Sequence, residues 1–174
     1  MVDADSRGCV GKYCTTGIAA LVLSKNGSPD YADLWGGGLG LNFNPAGDVG
    51  AAGYADLSAY TGIAFDFSGD VVPPQSMRVD FPFLGQHGLD APYWKGAMAY
   101  SPLTGTTSNP QHVVIKWAEI AGPEYLTQEV PPVDVTRFPF DPRAVQAIQF
   151  LVFTNASATT PYSFCVANLA FLTN

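Results

Sequence analysis

The chain has 174 residues, enough for one hydrophobic core and too few for two comfortable domains, so a single domain over residues 1–174 is expected. Charged residues make up 13% and aromatic residues another 13%, while 8 Lys plus Arg stand against 15 Asp plus Glu, a formal charge of -7. That balance opposes contact with nucleic acid or an anionic bilayer, no apolar run approaches the ~18 residues of a membrane span, and a hydrophobic share of 47% excludes disorder throughout.

Residues 1–20 lack a basic start followed by an apolar stretch, so no intact signal peptide is read there. Residues 1–17 are read as a loosely attached or atypical N-terminal segment. Cys9 and Cys14 have four residues between them in a glycine-containing stretch, which suits a local disulfide. Cys165 lies in an apolar strand pattern and reads as a buried free thiol, with a Cys14–Cys165 bridge as the alternative. The two histidines, His87 and His112, repeat no zinc-ligand spacing, so no metal centre is expected from them.

Beyond that segment, short apolar stretches recur with Gly, Pro, Asn and Asp between them and no long amphipathic helix, the pattern of an all-β antiparallel sandwich or barrel. Strands are predicted over residues 18–24, 38–43, 62–68, 76–83, 111–116, 147–154 and 162–172. Turn-forming residues fill 26–30, 44–53, 69–74, 84–92, 101–110 and 155–161.

Trp35 is followed by Gly36, Gly37, Gly38 and Gly40, but no helix and no Lys-Ser/Thr follow, as a phosphate cradle would require. Leu39, Leu41 and Phe43 begin a strand alternation instead, so these glycines are read as allowing close backbone approach or a bulge. In the next strands Ile63, Phe65 and Phe67 alternate with Ala64 and Asp66. Met77, Val79, Phe81 and Phe83 alternate with Arg78, Asp80 and Pro82, placing one face in the core and charge on the other.

Tyr93 and Trp94 fall in a loop, where large aromatic groups lack an obvious core role. Trp117 follows Ile115 on the apolar phase and reads as core, and residues 117–120 form one helical turn. Asp141 before Pro142 reads as the N-cap of a second single turn. Residues 148–153 are apolar on both faces apart from Gln149, as in a central strand.

No arrangement for catalysis emerges. There is no G-x-S-x-G elbow, His87 sits in a glycine-flanked loop, and Glu119, Glu124 and Glu129 share one connecting region, a poor source of an opposed acid and base. Asp66 and Asp80 are the pair of strand carboxylates that could meet, if their strands are adjacent.

Several passages resemble a known group in the order expected of it: residues 35–43, entered by Trp35 and its glycines; Asp56-Leu57-Ser58-Ala59-Tyr60-Thr61-Gly62-Ile63-Ala64-Phe65; Phe140-Asp141-Pro142; Ala147-Ile148-Gln149-Phe150; and residues 163–171. They resemble the jelly-roll carbohydrate-binding modules of the galactose-binding-like superfamily, in particular family-eleven-like domains of bacterial extracellular proteins. The resemblance implies two antiparallel sheets, a secreted or cell-surface setting, and a polysaccharide or oligosaccharide lying on the concave sheet or its rim without catalysis.

A structural calcium would come with the resemblance, although Ala167 stands where the closing strand commonly carries Asp. No other cofactor is expected. Sugars offer apolar faces to rings and hydroxyls to Asp, Arg and Gln, so Asp66, Arg78, Asp80 and Gln149 are the polar binding candidates, with Tyr93 and Trp94 the aromatic ones. The alternative is a structural or adhesive sandwich without a sugar site. Association with other domains of a larger protein, or through an exposed edge strand, would suit either.

Overall fold

In the computed structural model the described residues are 9–19, 37–43, 54–71, 77–81, 97–99, 109–120, 140–152 and 160–173. They form eight strands: β1 (Cys9–Ala19), β2 (Gly37–Asn42), β3 (Gly62–Val71), β4 (Met77–Phe81), β5 (Ala97–Ala99), β6 (Gln111–Lys116), β7 (Ala147–Val152) and β8 (Thr160–Leu172). Single 3₁₀ turns occupy Trp117–Glu119 and Pro142–Ala144.

One sheet has the order β1-β8-β3-β6 and the other β2-β7-β4-β5, and every ladder is antiparallel. First pairs with last, second with seventh, third with sixth and fourth with fifth. That nesting, split over two facing sheets, is a long hairpin rolled upon itself: the jelly roll that the resemblance implies.

Alternation builds the core. Ile63, Phe65 and Phe67 of β3 and Met77, Val79 and Phe81 of β4 are buried together with Ile148, Phe150 and Val152 of β7 and Phe164 and Val166 of β8. Phe65 meets Phe150 edge-on at 5.0 Å between ring centroids, joining inner strands of the two sheets. Burial of each such phenylalanine is worth about 2–3 kcal/mol relative to exposure. Trp117 packs on Phe81 and Phe140, and Tyr60 stacks on Phe171 at 4.9 Å.

The two short turns follow their sequence signals. Asp141 accepts the Arg143 backbone N–H at 3.0 Å ahead of Pro142, as an N-cap should. Gly38 supplies close approach, since a Cβ there would run into the Phe150 carbonyl oxygen of β7. Gly69 has φ 140°, where a side chain would be strained, and lies against Phe164 of β8.

Two readings change. Residues 9–17 pair with β8 as part of β1 rather than forming a loose segment, and residues 18–19 of the expected 18–24 strand continue it; residues 20–24 lie outside the described residues. Cys14 bonds to Cys165, not to Cys9, and Cys165 is neither free nor fully buried. An extended strand rises about 3.3 Å per residue, which carries Cys9 far from Cys14. The β1–β8 register sets Cys14 directly opposite Cys165.

β4 and β7 coincide with the expected strands over residues 77–81 and 147–152; residues 76, 82–83 and 153–154 lie outside the described residues, as do Trp35 and Gly36. β5 carries no sequence signal, being three residues of Ala-Met-Ala.

Candidate functional site

The outer face of the β2-β7-β4-β5 sheet gathers three of the expected polar residues. β4 sends Met77, Val79 and Phe81 inward, so Arg78 and Asp80 project away from the core. On β7, Ile148 and Phe150 point inward and Gln149 outward. The ladders then set Gly40, Gln149 and Asp80 in one transverse row, with Gly38, Leu151 and Arg78 in the next. At about 4.8 Å between strands, each row spans about 10 Å.

Exposure falls steadily along those rows. Gly38 and Gly40 are exposed, Gln149 and Leu151 half-buried, and the side chains of Arg78 and Asp80 retain 12% and 8% of their accessibility. Accessibility thus runs from a bare glycine strand to a covered ion pair. Arg78 Nε donates to Asp80 Oδ2 at 2.7 Å, while Asp80 Oδ1 is buried with no hydrogen-bond partner. Burial outweighs the Arg78 charge and pushes the Asp80 carboxyl up to about 6 from its ordinary 3.8.

Asp66 is elsewhere. It belongs to β3, in the other sheet, so the condition that the strands of Asp66 and Asp80 be adjacent is not met, and the two carboxylates lie on the outer faces of different sheets. The alternation that turns both outward says nothing about which sheet each strand joins. Asp66 Oδ1 is 2.8 Å from His112 Nδ1 and its Oδ2 accepts from Asn168 Nδ2 at 2.7 Å. Those two bonds, the Asn168 bond foremost, hold the Asp66 carboxyl below the usual range.

Asn168 reaches Asp66 from an irregular stretch of β8. The β3–β8 register passes from Ala64↔Ala170 to Asp66↔Ala167, so β8 carries one extra residue, and Asn168 has φ 52°. Neither His112 nor Asn168 was singled out by spacing as a partner of Asp66, because register and bulge join residues remote in sequence. Tyr93 and Trp94 lie outside the described residues. Among the described residues no three His, Cys, Asp or Glu side chains come together, so these offer no carboxylate cradle for the calcium that the resemblance would bring.

No family model matches the sequence, and no curated protein matches it. Among solved structures the fold is similar to the family 11 carbohydrate-binding module of cellulosomal cellulase Lic26A-Cel5E of Clostridium thermocellum, at 14% identity and a TM-score of 0.47, over 94% of this chain and 87% of that one. It is also similar to a family 11 carbohydrate-binding module from Clostridium thermocellum in complex with a beta-1,3-1,4-mixed-linked tetrasaccharide, at 15% identity and a TM-score of 0.46, over 99% of this chain and 94% of that one.

Proposed function

We propose that this chain is a non-catalytic saccharide-binding domain whose ligand rests on the outer face of the β2-β7-β4-β5 sheet. The observation that carries this reading is Asp80 Oδ1, a buried carboxylate oxygen with no hydrogen-bond partner, set beside Arg78 and Gln149 on that face. A buried acceptor left unpaired costs about 1–3 kcal/mol, and a ligand hydroxyl reaching it would remove that cost. The exposed backbone of Gly40 lets a ring approach where a side chain would stand, and Gln149 adds a donor and an acceptor beside it.

Tyr93 and Trp94 are proposed to supply the apolar contact to sugar faces, and Asp66 is proposed to lie outside the groove, because its sheet faces the other way. The Cys14–Cys165 bridge favours an oxidising, secreted or cell-surface setting. None of the described helices is long and apolar enough to cross a membrane. The competing reading, a structural or adhesive sandwich, draws on the low exposure of Arg78 and Asp80.

Affinity electrophoresis through gels containing soluble glucan, mannan, xylan or galactan separates the two readings. Retardation by at least one glycan, lost in Gln149→Ala and kept in Asp66→Ala, is the expected result. Uniform migration of folded protein through all four favours the structural reading.

A further inference from the structure

Among the described residues Asp80 is the charged residue that is buried, and it is buried on the face turned away from the core. Its own strand brings Arg78 against Oδ2; β7 brings neutral Gln149 opposite it in the ladder, and β5, which pairs with it on the other side, has no ionisable residue in Ala97–Ala99. One guanidinium contact is the charge compensation these elements give, and it reaches one oxygen. Oδ1 has neither a donor nor water-accessible surface.

A carboxylate in that position has two ways to satisfy Oδ1: take up a proton, or accept a hydrogen bond from a ligand that reaches it on this face. We propose that these two compete, so that a saccharide hydroxyl bound at Oδ1 displaces a proton held there in the ligand-free protein. The inference rests on the saccharide reading above. In the step, the Asp80 O–H bond breaks and its proton leaves to solvent. The ionised Oδ1 accepts the ligand's O–H hydrogen bond while Oδ2 stays on Arg78, and no other bond changes. Burial, which already holds this carboxyl up to about 6, makes the exchange fall in mildly acidic solution.

Linkage then fixes the direction. The ligand binds the ionised form, so affinity is full well above pH 6 and declines as pH falls through it, by roughly tenfold between pH 8 and pH 5. Two measurements on the whole chain test this. Carbon-detected NMR of the ligand-free protein, with the Asp80 carboxyl assigned through its own backbone, should show it titrating near pH 6 and needs no variant. Electrophoresis through the glycan of the four-glycan panel that most retards the protein at pH 8 should show roughly tenfold weaker binding at pH 5, and a D80N variant should bind weakly with little change between the two.

An Asp80 carboxyl that titrates in the ordinary aspartate range, or wild-type retardation equal at pH 5 and pH 8, overturns the proton exchange and leaves the saccharide reading standing. Absence of retardation by every glycan at pH 8 overturns the saccharide reading, and the exchange with it.

Discussion

Asp80 also links the protein's stability to pH. Its carboxyl sits near 6 in the folded chain against 3.8 when unfolded, so the folded state holds the proton more tightly. The stability this contributes is full below about pH 4 and is lost as pH rises to about 6, a change of about 3 kcal/mol at most. Urea titrations between pH 4 and 7 should show that decline, and D80N should abolish its slope. Asp56, Asp66 and Asp141 act oppositely, because their carboxyls are held low by Ser58, by Asn168 with His112, and by Arg143 respectively. What they contribute is present above their unfolded value and is lost as pH falls below it.

Asn168 gives a second test at this scale. Its left-handed backbone costs an ordinary residue about 1–2 kcal/mol, and its amide holds Asp66. Asn168→Ala should lose both and destabilise by about 1–3 kcal/mol in urea titration, whereas Asn168→Gly keeps the backbone conformation and should lose less. The outward direction of Asp66, Arg78, Asp80 and Gln149 was legible in the alternation of their strands. The burial of Asp80 was not, since a period of two distinguishes faces without revealing what covers them.

Among the elements, β1 depends on its neighbour more than on its own sequence. Among the described residues it lies at the edge of its sheet and pairs with β8 alone, and it leaves Lys12, Tyr13, Cys14, Thr16 and Ile18 exposed while Gly11, Thr15 and Gly17 are half-buried. Such a strand buries little apolar surface of its own, which is why apolar periodicity does not mark residues 9–17. The bridge from Cys14 to Cys165 closes a sequence separation of 151 residues. Long closures of this kind restrict the unfolded chain strongly, so Cys165→Ser should cost about 2–5 kcal/mol, read as a lowered urea midpoint that reduction of the wild type reproduces. β6, in contrast, was legible to the residue, because Val113 and Ile115 alternate inward with exposed His112, Val114 and Lys116.

At the scale of the molecule, the β class was legible from periodicity, and the nested strand order from the ordered resemblance. Neither says which outward-facing residues share a sheet. That follows from pairings between remote strands, which set Asp80 beside Gln149 and send Asp66 to the opposite surface. The two outer faces thus offer each other's control: one carries the buried, unpaired carboxylate oxygen, and the other a carboxylate whose two oxygens are both engaged.

The most direct measurement is an amide NMR map of the protein titrated with an oligosaccharide of whichever glycan retards it. Shifts concentrated at Gly38, Gly40, Asp80 and Gln149, with Asp66, His112 and Asn168 unmoved, are the predicted result. Shifts confined to the Asp66 face, or none at saturating oligosaccharide, would contradict a saccharide groove on the β2-β7-β4-β5 sheet.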